Sequence, residues 1–175
     1  MKAFLPYVLF LSVSVALVAG QSVTIKKENK QYSVYLTAKG KTSAIIQGLP
    51  KEPSISEIND KLFRITLSLG SPDSYTYFVD SSGGLVEGPF FLFQKLDEKN
   101  LGILYVGSDG KLMGKLLFKG LDPVLFDLPD ISPVAVVTNA ITNIDFPSDT
   151  SIRITYYSGS QYTEKQIAVR WPRPK

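Results

Sequence analysis

The chain has 175 residues, 44% apolar and 20% charged, with a formal net charge of +3 and neither cysteine nor histidine. That composition excludes disulfides, thiol nucleophiles, Cys/His zinc sites and every catalytic dyad or triad that depends on imidazole. It is too apolar for a disordered segment, and its length suits a single domain.

Residues 1–20 read as a signal peptide. Lys2 supplies the positive start, an apolar run extends from Leu9 to Val18, and the small residues of Val18-Ala19-Gly20 precede Gln21. The run is short for a helical membrane span of about 20 residues, and the first cation after it is Lys26. The expected product is a secreted domain over 21–175, extracellular or, in a bacterium, periplasmic, without a permanent membrane anchor. Losing Lys2 lowers the net charge only from +3 to +2. The other cations are mostly scattered, so no basic stripe follows a phosphate backbone and no nucleic-acid partner is expected.

Period-2 alternation dominates the chain after residue 20. Tyr32, Val34 and Leu36 alternate with Ser33, Tyr35 and Thr37. After a charged connector at Pro50–Pro53, Phe63, Ile65, Leu67 and Leu69 alternate with Arg64, Thr66 and Ser68. Successive strand side chains point to opposite faces, so these are strands with one buried side, as antiparallel sheets require. Tyr75–Asp80 and Leu85–Phe93 flank Ser81-Ser82-Gly83-Gly84, and Leu101–Val106 and Lys111–Phe118 flank Gly107-Ser108-Asp109-Gly110; both read as hairpins.

Leu121–Pro133 carries Pro123, Pro129 and Pro133, which lack the ladder donor, so it is expected as an edge or crossover. Residues 133–144 are ambiguous. Ser132-Pro133 resembles a helix start, whereas Val134-Ala135-Val136-Val137 and Ile141-Thr142 are β-branched; a strand is favoured, with one short helix as the alternative. Ser151–Ser158 and Thr163–Arg170 form a third hairpin, with Ile152, Ile154 and Tyr156 on its inner face. Trp171 is the last core residue expected before Pro172 and Pro174 end the ladder.

About nine to eleven short strands are predicted, which makes the fold all-β. The expected architecture is an antiparallel β-sandwich built from hairpins, the alternative a closed up-and-down β-barrel. In size, export signal and strand content the chain is similar to lipocalins. Their barrel-opening Gly-x-Trp is absent, because the single tryptophan is Trp171; no binding residue is carried over.

Chemical motifs are weak. Asp149-Thr150-Ser151 echoes an aspartic-protease triplet without a second copy, and Ser108 to Lys111 has a Ser-x-x-Lys spacing in a turn instead of a helix. Asp73, Asp80, Glu87, Asp97, Glu98, Asp109, Asp122, Asp127 and Asp130 lie largely in turns, so neither a hydrolytic pair nor a calcium loop at Asp122, Asp127 and Asp130 is indicated. No catalytic residue, metal ligand or cofactor is expected. The aromatic content is more telling. Among nine tyrosines, Tyr35, Tyr75, Tyr77 and Tyr157 fall opposite the apolar faces of their strands and are the candidate contacts for a ligand or partner. The expected function is non-catalytic surface recognition or an extracellular structural role, toward a protein, a glycan or a small hydrophobic ligand. A barrel carrier of an apolar ligand and a carboxylate-dependent hydrolase are the alternatives.

Overall fold

The computed structural model describes residues 13–18, 20–71, 73–134 and 137–171, with side chains from residue 20 onward. The chain divides into two compact units, Met1–Leu69 with Tyr77–Val86, and Gly70–Thr76 with Glu87–Lys175.

The first unit opens with β1 (Val13–Val18), β2 (Gln21–Glu28), β3 (Gln31–Ala38) and β4 (Lys41–Leu49), paired antiparallel in chain order. Asn29 and Lys30 join β2 to β3, with φ of 49° and 66°. Two consecutive positive φ values give the turn whose twist matches the flanking strands. Val23, Ile25, Val34 and Leu36 are buried, as the alternation predicts. Ser33 departs from it and is also buried. The leader expectation falls partly outside the described residues, at 1–12 and 19. The described part of the apolar run is β1, paired with β2 from Val13↔Ile25 to Val18↔Gln21 with a register shift between Val15 and Val18.

β5 (Ser54–Glu57), β6 (Leu62–Ser68), β7 (Ser74–Asp80) and β8 (Leu85–Phe91) form a second sheet in chain order, and β7 and β8 contribute residues to both units. Asn59 shapes the turn before β6, its Oδ1 accepting from the backbone N–H of Lys61 and Leu62 at 3.0 Å each. Phe63, Ile65 and Leu67 are buried on one face, each contributing about 1.5–3 kcal/mol through burial. Leu69, expected on that face, is 39% exposed because the strand stops at Ser68.

In the second unit β9 (Lys95–Asp97), β10 (Gly102–Val106), β11 (Leu112–Leu116) and β12 (Val124–Leu125) form a sheet of order β12-β11-β10-β9. β13 (Ile141–Ser148), β14 (Ser151–Ser158) and β15 (Thr163–Arg170) form another. The β14–β15 hairpin runs in unbroken register from Ser151↔Arg170 to Ser158↔Thr163. One apolar cluster draws on both sheets: Leu104, Leu112 and Leu116 from the first, Ile144, Ile152, Ile154 and Tyr156 from the second, with Phe126, Leu128 and Trp171. Trp171 closes the cluster as its last residue, and its Nε1 donates to the buried Asp97.

The fold is thus all-β, four small antiparallel sheets built from hairpins. None of these sheets closes on itself among the described residues, which removes the barrel alternative. The three expected hairpins lie where the turn residues put them. The proline-rich stretch supplies only β12, an edge strand of two residues. Over 133–144 neither simple reading holds: Val137–Ala140 is a single 3-10 turn, and strand begins at Ile141. β13 tolerates Pro147 because it is an edge strand, and its register slips between Asp145 and Ser148. The described strands number fifteen. The expected count is lower because two- and three-residue pieces such as β12 and β9 leave no alternation to read.

Candidate ligand cleft

The proline-punctuated segment after β11 makes ladder bonds only at β12 and the Ile131 bridge, yet it carries Phe126, Leu128 and Ile131. Phe126 is held in place by its backbone, whose N–H donates to the Leu112 carbonyl at 2.9 Å. Gly114 makes room for the ring, since a Cβ there would fall 2.7 Å from Phe126 Cζ. Further along, Ser132 fixes the segment's end. Its N–H donates to the Tyr157 carbonyl at 3.0 Å, and its hydroxyl to the Gly159 carbonyl at 2.7 Å. Beyond β12 the segment is thereby held as a wall with a single bridge, Ile131 to Ser158.

Between that wall and the sheet lies an open cleft of about 770 Å³. Phe91, Leu92, Val106, Leu112, Leu125, Phe126, Leu128, Ile131, Val134 and Val137 give it an apolar lining. Asp73, Lys111, Asp127 and Ser132 are its polar side chains. Leu125 is 47% exposed, a large apolar side chain left in water at the edge strand.

A second depression of about 810 Å³ shares Phe91 and Val106 with the first and is otherwise lined by Tyr75, Pro89, Tyr105, Met113 and the Gly107–Asp109 turn. Its rings are packed obliquely: Tyr75 against Phe91 at 5.5 Å between centroids, and Tyr105 against Phe90 at 4.9 Å. Burial pushes the Tyr105 phenol above its ordinary pKa.

The four tyrosines singled out from sequence are divided between the two units, Tyr35 and Tyr77 in the first and Tyr75 and Tyr157 in the second. Tyr75 lines the second depression. Tyr35 lies on β3 in the first unit, where Lys26 Nζ stands 4.6 Å from its ring centroid and its hydroxyl donates to Glu28 Oε1 at 3.2 Å. Desolvation, then the bond to Glu28 and that carboxylate's charge, raise its pKa. Tyr77 is half-buried on β7, also in the first unit. Tyr157 is on the outer face of β14, edge-on to Tyr162 at 6.2 Å. Missed from sequence were Phe91 and Tyr105. Tyr105 sits in the run Ile103–Val106, whose neighbours on both sides are buried, so alternation could not flag it.

Several acidic groups of the weak motifs have local partners. Asp149 pairs with Lys99 at 2.6 Å, and the Thr150 carbonyl accepts the Trp171 N–H. Asp109 Oδ1 accepts the Lys111 N–H within the turn that contains Ser108. Asp80 accepts the N–H and hydroxyl of Ser82, and Glu87 takes the Phe118 N–H together with Lys115. Among the described residues no three acidic side chains come together in a way that could hold a metal ion, including Asp122, Asp127 and Asp130. No described helix is long and apolar enough to cross a membrane. No protein-family model matches the chain, and no curated protein matches it in sequence.

Proposed function

We propose that this chain is an exported, non-catalytic binding protein whose second unit takes a small apolar molecule into the cleft beside β12. One observation carries the reading: a largely apolar lining around about 770 Å³, with a few polar side chains among the walls. Small-molecule sites are of that volume class, about 300–1,000 Å³, and combine apolar walls with sparse polar groups that orient the ligand. The shared core of the β9–β12 and β13–β15 sheets supports reading them as the two layers of a small sandwich. Export rests on the sequence of residues 1–20, and N-terminal sequencing of the released protein is expected to begin at Gln21.

Titration with the neutral fluorescent probe N-phenylnaphthylamine tests the binding reading. The expected result is a saturable rise in emission that dodecanol competes away and that Leu125→Arg abolishes. A linear, non-saturating response, or saturation unaltered by Leu125→Arg, would overturn it.

A further inference from the structure

The cleft's charged groups are not balanced. Lys111 is the one cation among its described lining residues, and its Nζ is already held 3.5 Å from Asp109 Oδ2. Asp73 and Asp127 line the same cleft, and among the described residues neither carboxylate has an ion pair or a side-chain hydrogen bond. Asp73 and Asp127 are both exposed at the mouth of the cleft, where two carboxylates without a cationic partner make the local potential negative. Phe91, half-buried, adds an aromatic ring to the lining, and such a ring attracts an organic cation through its negative face. The chain as a whole has the opposite sign, with a formal net charge of +3. Non-specific attraction to this protein would therefore favour anions, and a preference for cations has to come from the cleft.

We propose that the cleft selects molecules joining an apolar body to a cationic head, an alkylammonium or similar organic amine, with Asp73 and Asp127 receiving the charge. This rests on the cleft being the binding site. The test displaces N-phenylnaphthylamine from the full chain at neutral pH with three ligands of one tail: dodecylammonium, dodecanol and dodecanoate, each below its aggregation limit. Dodecylammonium is expected to compete at about tenfold lower concentration than dodecanol, the gain expected of about 1.4 kcal/mol, and dodecanoate to be the weakest. In the Asp73→Asn/Asp127→Asn double variant the ammonium is expected to fall to the dodecanol level while dodecanol is unchanged. Added salt should erode the ammonium advantage alone. If dodecanoate matches or exceeds the ammonium, or if the double variant keeps the preference, the charge assignment fails while the cleft stands. If none of the three displaces the probe, cleft and charge assignment fail together.

Discussion

Trp171 Nε1 donates to Asp97 Oδ2 at 3.1 Å, joining residues 74 positions apart inside the second unit. The same carboxylate accepts the Asn100 side-chain amide at 2.8 Å and, on Oδ1, the N–H groups of Lys99 and Asn100 at 3.2 and 3.3 Å. All of these partners are donors. An amide in place of the carboxylate must turn an NH2 toward one of them. Asp97→Asn is therefore expected to destabilise by about 1–3 kcal/mol, the cost of an unsatisfied buried group, and Trp171→Phe by a similar amount. Urea unfolding measures both.

Gly102 lies under the indole of Trp171, and a Cβ there would meet Cε2 at 2.7 Å. The ring is buried and stacked on Phe146 with centroids 6.1 Å apart, so it has little freedom to retreat. Gly102→Ala and Gly114→Ala, the latter against Phe126, should each cost about 1–3 kcal/mol or more by overpacking. Gly83→Ala, whose Cβ would reach its neighbours at 3.5 Å or beyond, should stay within about 0.5 kcal/mol. Equal losses at all three positions would refute the packing argument.

Burial raises the phenol pKa of Tyr105 and of Tyr156, whose hydroxyl donates to the Pro129 carbonyl at 2.8 Å. For Tyr156, Lys165 pulls the other way and Asp130 and Asp127 add to the rise. The native state thus holds these protons above pH 10.0, where the unfolded chain has released them. Their contribution is complete below that pH and is lost as pH climbs through the native pKa values. Unfolding free energy should fall on the alkaline side of pH 10.0, less steeply in Tyr156→Phe. Phenolate absorbance should show three late-titrating groups, Tyr35 being the third.

Leu125 projects from the edge strand, nearly half exposed, in register with Met113. Leu125→Ser removes apolar wall without opening a core void. Probe affinity should drop by about tenfold, equivalent to about 1.4 kcal/mol, while the unfolding midpoint moves little. A large loss of stability would place Leu125 in the core instead.

Local structure is the part legible in the residues. Alternation at Ile152–Tyr156 and the turn residues after Ser158 are enough to place a hairpin, because strand period and turn chemistry are written within about twenty residues. Pro123, Pro129 and Pro133 likewise announce a segment outside the ladders. The cleft is not legible. Its walls come from Asp73, Phe91, Val106, Leu125 and Val137, which only the sheet order brings together. Tyrosine exposure describes one strand at a time: Tyr35 and Tyr157 lean on local neighbours, whereas Tyr75 lines the second depression.

The pairing of β1 with β2 means that processing at Gly20 would subtract a ribbon from the first unit. The amides of Gln21–Ile25 that had faced Val13–Val18 would then become a bare rim, a template for adhesion between copies. That rim is followed by Lys26 and Lys27, each held over a ring of the neighbouring strand, Tyr35 and Tyr32. Two ammonium groups pinned there make head-on docking of a second rim self-repelling. Neutralising both lysines is therefore expected to increase self-association of a chain that begins at Gln21, as light scattering would read.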